Sequence, residues 1–466
     1  MPVISGLLVP HPPLIFPEVG QGRENDIADT VEAYKTVAKE IAAVSPDVIV
    51  VVSPHSNMFS DYIHISPGPG AEGDMRSFGV SGVKIKAEYD SEFVEALSLG
   101  CAAEDLRAGT TGERNRALDH ATSIPVRFIN DAYGDFTYPK YVRVGISEMP
   151  LEEHYRLGQL IAEVSEQLGR KAVVIASGDL SHKLSDDGPY GFSEYGVEFD
   201  RIICDVCYDA EFSKLLEMDS ALCIGAGECG HRPFVVMAGA LDRKAVDSKL
   251  YSYECPFGVG YAVASFVVKG PDDSRDFLDR YLDGAMGNAA ERKSKESPYV
   301  TLARETVENY VKTGRVCKTP EPLAEEFTKE RAGVFVSIKK HGELRGCIGT
   351  IAPVTGCVGE EIRSNAVSAS TRDPRFAAVS EDELPFLEYS VDVLAPAEQV
   401  DNADALDPAK YGVIVSLGGK RGLLLPDLEG IDDAESQISI AMRKAGIAER
   451  DRNRVNLERF EVIRYR

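Results

Sequence analysis

Five consecutive β-branched residues, Val48–Val52, sit between Asp47 and Ser53 and constrain this chain more than any other feature. A strand that is apolar on both faces has no side to give to water, so it belongs inside a sheet covered on both sides. The flanking pattern says what covers it. Val3–Val9 is strand-like and Asn25–Val44 has helical periodicity. Strand-like Tyr141–Ser147, helical Leu151–Leu168 and strand-like Ala172–Ser177 follow. Helices at about 193–217 and 231–243 come next, then strands near 249–254 and 259–268. This alternation predicts an α/β sandwich with a mostly parallel central sheet over residues 1–270.

Beyond Gly270 the character changes. The charged, polar stretch 271–296 reads as a linker. A second unit, 297–466, starts with a helix at Tyr299–Lys312. It continues with a hairpin of Gly333–Lys339 and Leu344–Thr350 about a turn at His341-Gly342, a strand at Tyr389–Leu394, and a hairpin around Gly418-Gly419. A helix near Ser436–Ala445 and a strand near Phe460–Tyr465 close an α+β domain. At about 100–200 residues per domain, 466 residues suggest two or three domains.

The net charge of −24 repels phosphate backbones and anionic membrane surfaces, so neither nucleic acid nor membrane is an expected partner. No run reaches the roughly 18–20 apolar residues of a membrane helix, and the start of the chain shows no signal-peptide pattern. Nine cysteines, an odd number scattered along the chain, read as reduced thiols in a cytoplasmic protein. Cys204 and Cys207, inside a helical pattern, and Cys347 and Cys357 read as packing residues.

Eight histidines are few enough for their positions to matter. His11, His55 and His182 each follow a strand, and in open parallel sheets ligands bind beyond the carboxyl ends of the strands. Convergent imidazoles with one carboxylate point to a transition metal, and two His plus one carboxylate make the ferrous facial triad of non-haem oxygenases. Glu228, in Gly-Ala-Gly-Glu-Cys-Gly-His, is the candidate carboxylate. Asp119 and Asp179 read either as partners of the ligands or as loop carboxylates. His64 reads as an ordinary strand residue, His154 as solvated on a helix and His341 as a turn residue, while His120 and His231 stay undecided on this argument.

His-Pro-Pro at 11–13, Ser-Pro-His at 53–55, Asp-His-Ala-Thr-Ser-Ile-Pro at 119–125, Ser-Gly-Asp-Leu-Ser-His at 177–182 and the late Glu228 occur in an order that resembles the class III extradiol dioxygenases and their Memo-like relatives. The resemblance covers about residues 1–270. It implies Fe(II), with zinc not distinguished, on His11, His55 and Glu228, or on the adjacent Cys229 as in the Memo-like branch. It implies His182 as acid/base and His120 as a residue orienting substrate or oxygen. The implied activity is oxidative opening of a catechol-type or related chelating small molecule.

Leu-Arg-Gly-Cys-Ile-Gly at 344–349 and Ser-Thr-Arg-Asp-Pro-Arg-Phe at 370–376 resemble the AMMECR-type domain, over about 297–466. There, Arg345, Arg372 and Arg375 are candidates for an anion pocket, and Cys347 is either a nucleophile or a small buried residue. The fusion resembles the AmmeMemoRadiSam system, which implies a radical SAM enzyme as partner and leaves a second reading open: a non-catalytic metal-binding or delivery module.

Overall fold

A computed structural model describes residues 2–134, 138–316, 325–340, 343–426, 431 and 433–466. The turn expected at His341-Gly342 lies outside these residues. The chain divides into two compact units, Met1–Asp283 and Gly284–Arg466. The division falls inside a helix, Phe277–Lys295, in the stretch expected to be a linker.

The first unit is an α/β sandwich. Its central sheet contains β1 (Val3–Val9), β2 (Val48–Val52), β3 (Lys140–Val144), β4 (Ala172–Ser177), β5 (Lys244–Glu254) and β6 (Tyr261–Pro271), in the order β3-β2-β4-β1-β6-β5. The first four in that order are parallel, and β6 and β5 add antiparallel at one edge. The helices of this unit include α1 (Ala28–Val44), α2 (Ser91–Ala103), α3 (His120–Tyr133), α4 (Leu151–Gln167), α5 (Glu194–Asp209) and α6 (His231–Ala240). The two-residue period of β2 feeds two cores. Val48, Val50 and Val52 pack on the side of α2, α4, α5 and α6, while Ile49 and Val51 pack on the side of α1 and α3.

The structure departs from the sequence reading at His154 and in the stretch 70–133, which that reading gives no element and which holds α2 and α3. A hairpin, Gly70–Met75 with Val80–Glu88, lies in the same stretch. Helix α3 tolerates Pro125, which costs one intrahelical hydrogen bond, because Asp119 caps its first turn and its apolar face is buried. His154 is not solvated but fully buried. It shares a helix face with Leu157, Gly158 and Ile161, and its ring pairs with Pro150 O at 2.9 Å and Ser147 N at 3.3 Å.

The second unit is α+β, with two four-stranded sheets. One runs Glu343–Gly349, Val334–Lys340, Leu387–Leu394, Val462–Tyr465; the other runs Glu398–Val400, Asn456–Phe460, Gly412–Leu417, Lys420–Leu424. The terminal segment read as one strand is therefore two, broken at Glu461 and serving both sheets. Helices Pro298–Thr313 and Val358–Thr371 pack on the first sheet, and Ala434–Lys444 packs on the second. Among the described residues no helix is long and apolar enough to cross a membrane.

Candidate metal centre

β2, β4 and β1 are neighbours, so the loops that leave their carboxyl ends emerge side by side. β1 continues into His11, β2 into His55, and β4 into Gly178 and Asp179. His11 is buried and held at two points. Its backbone N–H donates to Asp179 Oδ1 at 2.7 Å, and its ring Nδ1 lies 3.1 Å from Ser177 Oγ. That leaves Nε2 to face the cleft, where it meets His55 Nε2 at 3.1 Å and Cys229 Sγ at 3.5 Å. His55, by contrast, is exposed at the mouth of the cleft.

His120 enters as the first residue of α3. Its ring stacks on His55 with centroids 4.5 Å apart and meets His11 edge-on at 5.2 Å. One carboxylate ties these histidines together. Asp119 accepts hydrogen bonds from Thr122 N at 2.9 Å, Thr122 Oγ1 at 2.8 Å and Ser53 Oγ at 2.6 Å, and Ser53 Oγ accepts from His55 N at 3.2 Å.

Behind them lies Arg143 of β3, only 2% exposed. It donates to Ser56 Oγ at 3.0 Å, Ala117 O at 2.9 Å and Asn115 O at 3.3 Å, with Asp119 Oδ2 3.8 Å away. One guanidinium thus joins the loop after β2 to the approach to α3, and its planar fork is what lets it reach several acceptors at once.

His182 follows Asp179 on the β4 loop. Its N–H donates to Ala226 O at 3.2 Å, its Nε2 lies 3.9 Å from Cys229 Sγ, and Tyr190 stacks on its ring at 5.4 Å. The structure therefore brings His11, His55, His120, His182 and Cys229 together. It does not bring Glu228 to this group. Glu228 Oε2 accepts from His231 N at 2.7 Å, and the carboxylate groups with Cys223 and His231 instead.

Two glycines explain why Cys229 faces the histidines. A Cβ on Gly178 would sit 2.2 Å from Gly230 Cα, and one on Gly230 would sit 2.9 Å from Asp179 O. Only bare backbone lets the two loops approach so closely, and the contact leaves Asp179 N 3.3 Å from Cys229 Sγ.

Burial, then mutual repulsion from His55, His120 and His182, holds His11 well below the usual imidazole range. Burial, then His55, pulls His120 down to about 4, and burial also lowers His182. Neutral imidazoles offer lone pairs, as metal ligands must. Burial pushes the Cys229 thiol well up, so it is protonated until a cation displaces the proton. Burial raises Asp179 to about 7 against the opposing His11 N–H.

The donor set fits a divalent transition metal. Ligand bonds of about 2.0–2.3 Å place neighbouring donors roughly 3.0–3.6 Å apart. The His11–His55 and His11–Cys229 separations fall in that span, and the ligand atoms of His11, His55 and His120 all lie within 4.8 Å of one another.

In the second unit, Arg345 is already paired. It grips Glu383 through Nε and Nη2, each at 2.9 Å, and donates to Ala377 O at 2.9 Å. Arg375 likewise grips Asp373 at 2.9 and 2.7 Å. Arg372 follows helix Val358–Thr371 and donates its N–H to Ser368 O at 2.8 Å. Cys347 Sγ accepts from Ser337 Oγ at 3.3 Å, and burial raises its thiol.

Residues 5–264 match the family described as the catalytic LigB subunit of aromatic ring-opening dioxygenase, and residues 300–465 match the AMMECR1 family. A protein of Clostridium acetobutylicum is 38% identical over 471 residues, which cover 98% of each chain. A protein of Thermotoga maritima is 51% identical over 172 residues, 37% of this chain and 98% of its own. A solved structure of an uncharacterised protein from Pyrococcus horikoshii is 29% identical and covers 36% of this chain and 88% of that one, with a TM-score of 0.34.

Proposed function

Because the chain belongs to the family of the catalytic LigB subunit of aromatic ring-opening dioxygenases, with an AMMECR1 domain following, we propose that its first unit is a non-haem, metal-dependent oxidoreductase holding Fe(II) on His11, His55 and Cys229. The observation that carries this reading is the convergence of His11 Nε2, His55 Nε2 and Cys229 Sγ beyond the sheet's carboxyl edge. In this reading Cys229 takes the part that a carboxylate has in a facial triad. Thiolate and imidazole also suit zinc, so the metal is part of what the experiment reads.

When bound, the ferrous ion offers open positions to oxygen and a chelating substrate and lowers the pKa of a coordinated hydroxyl. The protein's own groups do the rest. His182, neutral at pH 7, accepts the substrate's hydroxyl proton and returns one later in the reaction. His120, stacked on His55, orients substrate or oxygen beside it. Tyr190 covers His182 and Phe78 meets His120 at 5.2 Å, and these rings give a planar aromatic substrate apolar faces to lie against. A small catechol-type molecule is the substrate class proposed, in the cytoplasm, where all eight described cysteines stay free.

The test is metal content after anaerobic purification, followed by oxygen uptake with a panel of catechols. About one iron per chain is expected at this site, absent in His55→Ala and Cys229→Ser, with metal-dependent uptake that His182→Ala abolishes. Metal indifferent to His55→Ala and Cys229→Ser sinks the reading. A second reading rests on the fusion to the AMMECR1 domain: a metal-binding module that delivers to, or works beside, a radical SAM enzyme. Bound iron with no oxygen uptake on any substrate, together with co-purification of such an enzyme, would favour it.

A further inference from the structure

Glu228 turns away from the histidine cleft and enters a separate group of metal-ligating side chains. Cys223 lies on the short helix Ser220–Ala226, and Gly227, at φ +64°, reverses the chain so that Glu228 follows. His231 opens α6. The ligand atoms of Cys223, Glu228 and His231 all lie within 4.8 Å of one another.

The hydrogen bonds fix which nitrogen of His231 is available. Its Nε2 lies 2.7 Å from Leu215 O, and a carbonyl can only accept, so Nε2 carries the proton. In the neutral ring Nδ1 is then a lone pair, and it faces Cys223 Sγ at 3.4 Å. This is the arrangement of a metal-binding histidine, oriented through its other nitrogen by a backbone carbonyl. The Glu228 carboxylate is oriented in turn by the backbone N–H of His231 at 2.7 Å.

We propose that Cys223, Glu228 and His231 form a second metal site, distinct from the histidine cleft and suited to zinc. One sulfur, one nitrogen and one oxygen donor match a borderline-soft cation of tetrahedral preference. Cys223 is partly exposed, so the cation has a way in and water can take the fourth position. Binding releases the Cys223 thiol proton to solvent and leaves the sulfur as thiolate. The ion pins both ends of the turn that presents Cys229 to His11, which makes it a clamp on the first site.

The experiment uses the full chain, stripped with chelator and titrated with cobalt(II), whose bond to a thiolate gives a sulfur-to-metal charge-transfer absorption. Two equivalents are expected in the wild type. Cys223→Ser and Glu228→Gln, both close in shape to the originals, should each bind one. His55→Ala should also bind one and keep the Cys223 band. A wild type that binds a single equivalent, lost in His55→Ala and kept in Cys223→Ser, overturns the second site and leaves the first intact. A single equivalent lost in Cys223→Ser and kept in His55→Ala does the reverse, and no binding at all overturns both.

Discussion

The two units bury carboxyl groups under opposite regimes. In the first, burial raises Asp179, Asp200 and Glu228 to about 7, with only a few donors opposing it. In the second, burial also works against ionisation, but donors outweigh it. Glu361 is fully buried and takes hydrogen bonds from Thr350 Oγ1 at 2.5 Å, Thr355 N at 2.9 Å, Thr355 Oγ1 at 2.7 Å and Val354 N at 3.1 Å, and its pKa is lowered. Glu383 is lowered by Arg345 and Ser380, and Arg375, helped by the backbone N–H of Cys347, holds Asp373 well below the usual carboxylate range. The second unit uses its charges as mortar. The first holds neutral histidines, protonated thiols and half-titrated carboxyls close together, a state that a cation relieves.

The difference is sharpest at Arg143, the buried cation of the first unit. Arg143→Ala removes the donor to the Ala117 carbonyl and Ser56 Oγ, leaves the Asn115 carbonyl with Asn57 Nδ2 alone, and takes the counter-charge from Asp119. A loss of about 3–5 kcal/mol is expected, read by denaturant unfolding. Bound metal should fall with it, because the loops of His55 and His120 lose their common anchor. Arg143→Lys retains the charge without the fork, so it should recover part of the stability and less of the metal. If Arg143→Ala keeps full metal content, the guanidinium does not position the site.

Asp200 tests the first unit's regime through pH. Its carboxylate accepts from Ser181 N at 2.8 Å and Tyr253 Oη at 2.7 Å, beside His182. A folded pKa of about 7, above the ordinary carboxyl value, means that its stabilising effect is fully present below about pH 4 and is lost as pH rises through 7. Asp200→Asn stays neutral throughout. It should match the wild type near pH 4 and exceed it by roughly 2–4 kcal/mol at pH 8. A difference independent of pH would show that Asp200 is ionised in the fold.

Much of this was legible from residue order. The β-branched run of β2 announced a doubly covered sheet, and strand-end placement picked out His11, His55 and His182. The turn from Glu228 to Cys229 was not legible, because it depends on the packing of Gly178 against Gly230, far apart in the sequence. His154 was misread although its signal was present: it shares a helix face with Leu157 and Ile161. Arg143 also left a signal, a charge inside the apolar strand Tyr141-Val-Arg-Val. In the second unit, Arg345 and Arg375 looked like free cations because the carboxylates that engage them, Glu383 and Asp373, carry no mark in sequence of their partners.

Asp373 tests the second unit's regime from the acid side. A folded pKa held below the ordinary value by Arg375 means that its contribution is present above about pH 4 and is lost as pH falls below that, the opposite sign to Asp200. Asp373→Asn keeps the shape but weakens the grip of Arg375 and the acceptor for Cys347 N at 2.9 Å. About 1–3 kcal/mol should be lost at pH 7, in the calorimetric transition of the second unit, with metal content unchanged. A single transition that shifts as a whole would mean that the two units unfold as one.

The smallest effect is expected at Cys347, and it decides what the second unit's motif is for. Burial raises its thiol against the Ser337 hydrogen bond and the Arg375 charge, and Asp392 and Asp373 add to the rise, so it lacks the lowered pKa of a nucleophile. Cys347→Ala should cost no more than about 1 kcal/mol, since it removes one small, partly buried side chain. In the folded wild type, a thiol reagent at pH 8 should modify exposed Cys255 well before Cys347, followed by peptide mass. If Cys347 reacts first, the thiol is activated and the second unit carries chemistry of its own. If it does not, Gly-Cys-Ile-Gly is a strand built to lie close under the helix Val358–Thr371, where a Cβ on Gly346 would come within 2.2 Å of Ala369 O.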